Sequence, residues 1–135
     1  MSDAGSVTLR PSVVVSDGRA EIVVEVVIPK NAHIEAHEPA EDFLIPTILE
    51  VDGVEDVHIE YPGPVQKDLG YPGAELLVYE GRIEIKARGR TNGIGEFVGG
   101  RLSYQPCVGG ACLPPRVDEW RAPIASTSAT AQVAH

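Results

Sequence analysis

At 135 residues the chain fits one domain, with enough length to bury a core without staples. Eleven Lys and Arg against twenty Asp and Glu leave a formal charge of −9, which argues against DNA, RNA and anionic membrane surfaces as partners. A hydrophobic share of 43% excludes general disorder, and no run approaches the ~20 apolar residues of a membrane helix.

The opening residues Met1 to Ser6 have neither a basic start nor an apolar stretch, so no signal peptide is expected. After residues 1–7, read as a flexible N-terminus, β signals recur at short spacing. Ser12 to Val15 runs into a turn at Ser16-Asp17-Gly18. Ala20 to Ile28 is nearly continuous and β-branched, as a central strand should be, and Pro29 stops it. His33 to His37 alternates loosely, Thr47 to Val51 follows Pro46, and Val57 to Tyr61 alternates after the Asp52-Gly53 turn.

Tyr61 to Ala74 breaks this rhythm with three prolines and three glycines, and it reads as a long structureless loop. Gly81 to Arg88 then shows the cleanest alternation, placing Ile83, Ile85 and Ala87 on a core face and the charges in water. Leu102 and Tyr104 lead into Cys107, and Val117 to Ala122 closes the domain. Residues 123–135, rich in Ser, Thr and Ala, read as a tail or linker. Fourteen glycines and eleven prolines punctuate the whole. The prediction is an all-β, antiparallel sandwich over residues 8–122, with Ile22, Val24, Val26, Ile83, Ile85 and Leu102 in its core.

Most chemical motifs fail. Gly93-Ile94-Gly95-Glu96 lacks the third glycine and the following helix of a dinucleotide fingerprint, so it reads as a β-turn. His33 and His37 share a strand face but stand roughly 13 Å apart, too far for one ion, and each reads as a surface or core-edge histidine. No nucleophile elbow is present. No metal site or cofactor is assigned.

The two cysteines, Cys107 and Cys112, are the exception. A hairpin with a four-residue Val-Gly-Gly-Ala loop would set them opposite each other, with Cα atoms about 4.5–5.5 Å apart and within disulfide range. So small a closed loop yields only about 2 kcal/mol of stabilisation, which a domain of this size does not need. On the residues alone, an inert staple and a redox pair both stay open.

The segment Tyr104-Gln105-x-Cys107-x4-Cys112-Leu113-Pro114-Pro115 resembles the N-terminal periplasmic domain of the thiol:disulfide interchange protein DsbD. Val78-Tyr79-Glu80-Gly81, Pro62-Gly63-Pro64 and the His-x-x-x-His-x-Pro stretch from His33 resemble the same family, over residues 8–122 in all. Pro106 and the glycine-rich loop are local departures. The resemblance implies an immunoglobulin-like sandwich whose cysteine pair carries electrons from a thioredoxin-like donor to periplasmic disulfide isomerases.

It further implies that Cys112 forms the mixed disulfide and Cys107 resolves it, with Tyr104, Gln105 and Pro114 near the pair. An acidic–aromatic cap over the sulfurs is also implied, for which Asp68 and Tyr71 are the candidates. The location implied is periplasmic or otherwise extracytoplasmic, with the chain an excised domain or a standalone relative and a membrane domain a possible part of the full-length protein.

Nothing near the cysteines in sequence obviously lowers a thiol pKa; Arg116 is the nearest cation. Two other classes remain: a protein-binding immunoglobulin-like module with an inert hairpin disulfide, and a metal-delivery domain using Cys107, Cys112 and a histidine.

Overall fold

The computed structural model describes residues 5–41, 43–68, 75–91 and 95–126. Among them there is no helix, and twelve strands form two sheets. The larger contains β1 (Thr8–Ser16), β2 (Arg19–Val27), β4 (Ile48–Val51), β5 (Glu55–Glu60), β8 (Arg82–Arg90), β9 (Phe97–Tyr104) and β12 (Arg116–Ser126), in the order β4-β9-β12-β1-β2-β8-β5. The smaller contains β3 (Ala32–Glu35), β6 (Val65–Asp68), β7 (Glu75–Tyr79), β10 (Pro106–Val108) and β11 (Ala111–Cys112), in the order β11-β10-β3-β7-β6. Pairing is antiparallel except between β1 and β12, which run parallel.

Period-two patterning explains the layers. In β2, Ala20, Ile22, Val24 and Val26 are buried while Arg19 and Glu21 are exposed, so a strand that reads as continuously apolar is sided. Ile85 and Ala87 of β8 do the same, and Ile83 is half-buried at the core's edge. These residues, with Leu102 and Trp120, form one cluster with Ile34 and Tyr79 of the smaller sheet and with Ala36 just after β3. Two sheets closed over a shared apolar interior make an immunoglobulin-like β-sandwich.

Three expectations change. The presumed loop from Tyr61 to Ala74 contains β6, whose Val65 to Asp68 pairs with Val78 to Glu75. A Pro/Gly-rich flank hid a four-residue edge strand, where neighbours supply the pairing that local propensity does not. β12 continues past Ala122, because Val13, Val14 and Val15 of β1 pair with Ile124, Ala125 and Ser126. At the other end Val7 is buried, and its N–H donates to the Tyr104 hydroxyl at 3.3 Å.

The chain passes between sheets repeatedly, and one such passage makes the site. β9 ends at Tyr104 in the larger sheet and β10 begins at Pro106 in the smaller, with only Gln105 between.

Candidate redox site

Cys107 and Cys112 form a disulfide with Cα atoms 3.9 Å apart, each the register partner of the other across β10 and β11. Val108 pairs with Ala111, so the turn is two residues, Gly109-Gly110, rather than the expected four. Gly109 takes φ +64°, a conformation that glycine adopts at little cost, and its N–H donates to the Asn31 carbonyl at 3.2 Å. The far end is clamped through Leu113, whose N–H donates to the Pro106 carbonyl at 2.8 Å. The Leu113 carbonyl accepts from Gln105 Nε2 at 3.1 Å.

Behind the hairpin lies Gly5, at φ +89°. A Cβ there would sit 3.0 Å from the Pro106 Cβ and 3.1 Å from Leu113 Cδ1, so a side chain would wedge against the hairpin.

The two cysteines differ in access. Cys107 is 1% exposed, whereas Cys112, on the edge strand, is exposed. β3 lies on the inner side of β10, and Cys107 pairs directly with His33. Residues two apart on a strand share a face, so Glu35 joins His33 there. A His33 ring nitrogen, a Glu35 carboxylate oxygen and Cys107 Sγ all lie within 4.8 Å of one another.

Both neighbours are buried, His33 at 9% exposure and Glu35 at 2%. Neither His33 Nε2 nor Glu35 Oε1 has a hydrogen-bond partner. Burial pushes the Glu35 carboxyl up from its ordinary range. It pushes the His33 imidazole down, helped by the Lys67 cation and opposed by Glu80. Beside His33 opens a groove of about 970 Å³ lined by Val65, Lys67, Glu80, Val108 and Gly109, with Lys67 Nζ 2.8 Å from Glu80 Oε2.

The other residues singled out from sequence are spread around this centre. Gln105 serves the hairpin as described, and Pro114 is an exposed residue just after β11. Tyr104 belongs to the opposite sheet, fully buried, its hydroxyl donating to Asp118 Oδ2 at 2.5 Å. Desolvation, with the Asp118 carboxylate, pushes its phenol up to about 12. Arg116 faces the same Asp118, at 3.7 Å, rather than the cysteines. Asp68 ends β6, paired in register with Glu75, while Tyr71 lies outside the described residues.

His37 takes no part. Its ring stacks on Tyr61, with centroids 3.7 Å apart, and Nδ1–H donates to the Thr47 carbonyl at 3.0 Å. What sequence reading missed is the placement of His33 and Glu35 beside the Cys107 sulfur. Their signal was available, as a His-x-Glu alternation set among Ala32, Ile34 and Ala36, but it gains meaning only when β10 is laid alongside.

No protein-family model and no curated protein sequence matches the chain. Solved structures do. The N-terminal periplasmic domain of ScsB from Proteus mirabilis superposes with TM-score 0.66 at 15% identity, over 88% of this chain and 47% of that one. The DsbD N-terminal domain of Neisseria meningitidis, in its reduced form, gives TM-score 0.54 at 18% identity, over 84% and 82%. The fold is that of the DsbD N-terminal domain. A third match, from the complex between the DsbD and PilB N-terminal domains of N. meningitidis, gives TM-score 0.50 at 17% identity, over 84% and 80%. The chain thus spans about half of the ScsB chain and most of the DsbD domains. The DsbD resemblance carried by the cysteine segment therefore holds at the level of the fold, with the cysteine pair joined on an edge hairpin.

Proposed function

We propose that the domain performs thiol–disulfide exchange through Cys107 and Cys112 in an extracytoplasmic compartment. It takes electrons from a thioredoxin-like donor and passes them to disulfide-bonded acceptors of the isomerase type. The observation that carries this reading is the unequal access of the two sulfur-bearing residues, one buried and one exposed on an edge hairpin. A purely structural staple has no need to present one cysteine to partners.

The chemistry follows from that asymmetry. A donor thiolate attacks Cys112 Sγ; the bond to Cys107 breaks and a mixed disulfide forms. Cys107 leaves with the bonding electron pair and takes up a proton. The donor's second thiolate then attacks the donor sulfur of the mixed disulfide, releasing Cys112 as the thiolate and leaving the donor oxidised. Two electrons and, once Cys112 is protonated, two protons have moved. In the onward step Cys112 attacks the acceptor disulfide and Cys107 resolves the intermediate. Support comes from the fold, shared with a DsbD domain that has been seen reduced and with one seen in complex with a PilB domain. Asp68 and Tyr71 are proposed to shield the sulfurs between encounters.

Incubation of the oxidised protein with a reduced C-x-x-C protein tests the reading. Mass spectrometry is expected to show two added hydrogens and an oxidised donor. A disulfide that survives while the donor stays reduced would instead mark an inert staple in a binding module.

A further inference from the structure

A buried carboxylate and a buried imidazole without partners are costly, and such groups are usually hydrogen-bonded or bound to an ion. Here two of them, His33 and Glu35, flank the sulfur of Cys107 on one sheet face, with all three donor atoms within 4.8 Å. Cys112 supplies a fourth donor once the disulfide opens, since its sulfur is bonded to that of Cys107 in the oxidised form. This is the only such cluster among the described residues.

We infer that the reduced form is a metal site, in which Cys107, Cys112, His33 and Glu35 take one Zn²⁺ ion. The inference rests on the exchange reading only in that the disulfide must open. The donor set is chemically specific. Two thiolates, one imidazole and one carboxylate are ligands that zinc accepts in a tetrahedral shell, at about 2.0–2.3 Å each. Donor atoms around such an ion stand a few ångströms apart, as those of His33, Glu35 and Cys107 do. The ion would give the Glu35 oxygen and the His33 nitrogen the partner that each lacks in the disulfide form.

The site is gated by oxidation state. In the disulfide neither sulfur is a thiolate, and only His33 and Glu35 remain as donors. On reduction both sulfurs become ligands, and binding releases their two protons to solvent with no change in the metal's charge. Loading therefore withdraws both thiolates from exchange, and zinc becomes an inhibitor of the reduced state.

The test uses the full chain, reduced with a phosphine and freed of metal, titrated with Zn²⁺ against a chromophoric chelator. One equivalent is expected to bind the reduced protein and none the disulfide form. Glu35→Gln and His33→Gln should each weaken binding at least as much as the roughly 10–100-fold that changes outside the ligand shell produce. Co²⁺ in place of Zn²⁺ should give the absorption of a tetrahedral ion with two thiolates. Absence of binding to the reduced wild type overturns the site.

Wild-type affinity in both variants also overturns it, because the cysteines alone would then hold the ion. Should a variant misfold, Co²⁺ spectra of the wild type decide, and a spectrum without a tetrahedral thiolate signature refutes the assignment. Phosphine reduction keeps the two readings separable. A wild type that no C-x-x-C donor reduces, yet binds zinc after phosphine, sinks the exchange reading alone.

Discussion

Cys107 and Cys112 are register partners on a two-residue hairpin, yet one is 1% exposed and the other faces solvent. Edge position accounts for the difference: β10 is covered by β3 on one side and β11 on the other, while β11 has a neighbour only on its inner side. Anything approaching the hairpin from solvent therefore meets Cys112 before Cys107.

Trapping follows from that order. Cys107→Ser leaves Cys112 without its resolving thiol and should accumulate a mixed disulfide with a thioredoxin-like partner. Cys112→Ser should trap at least about tenfold less, since Cys107 must be reached through the fold. Non-reducing electrophoresis reads both, and equal trapping would remove the role assignment.

The turn imposes its own requirement. Gly109→Ala places a side chain at φ +64°, where L-residues are penalised by about 1–2 kcal/mol. Thermal unfolding of the oxidised variant should show a Tm lowered by several degrees, with the disulfide still formed. An unchanged Tm would mean that the turn relaxes to another shape.

Beneath the site, Thr47 is fully buried and its hydroxyl donates to the Glu35 carbonyl at 2.6 Å, fixing the end of β3. Thr47→Val keeps the shape and removes the donor, leaving that carbonyl a partner short. The expected loss is about 1–3 kcal/mol in urea unfolding, with unchanged m. Exchange with a partner should also slow if the position of β3 supports the cysteines.

Alkaline pH should act through Tyr104. Its phenol is raised from an ordinary 10.0 to about 12, so the folded state holds a proton that the unfolded chain has released. The stabilisation is complete below pH 10.0 and is lost as pH rises towards about 12. Tyr61 and Tyr79 are raised by burial too and act in the same direction. Tyr104→Phe should therefore flatten the alkaline slope of stability without abolishing it; a slope identical to wild type would deny Tyr104 that share.

The cap is open to a kinetic test. If Tyr71 and Asp68 shield the sulfurs, Tyr71→Ala should speed reduction by glutathione several-fold and leave the equilibrium potential unchanged. A lid alters access in both directions, whereas the potential depends on the relative stability of dithiol and disulfide. Unchanged glutathione kinetics would return these residues to ordinary surface.

From the sequence alone came the all-β class, most strands of the larger sheet, the core positions of β2 and β8, and the cysteine pair as the place to look. Each of these is local: a period of two, a turn dipeptide or two cysteines five positions apart declares itself without distant neighbours. Three things were decided by tertiary structure. β6 is held by β7 against a proline-rich context, and β12 is extended by β1 into a composition that reads as tail. His33 and Glu35 lie more than seventy residues before Cys107, and only the pairing of β3 with β10 brings them to its sulfur. A non-local pairing depends on which strands become neighbours, and a sheet order such as β11-β10-β3-β7-β6 is set by how the two layers close over one core.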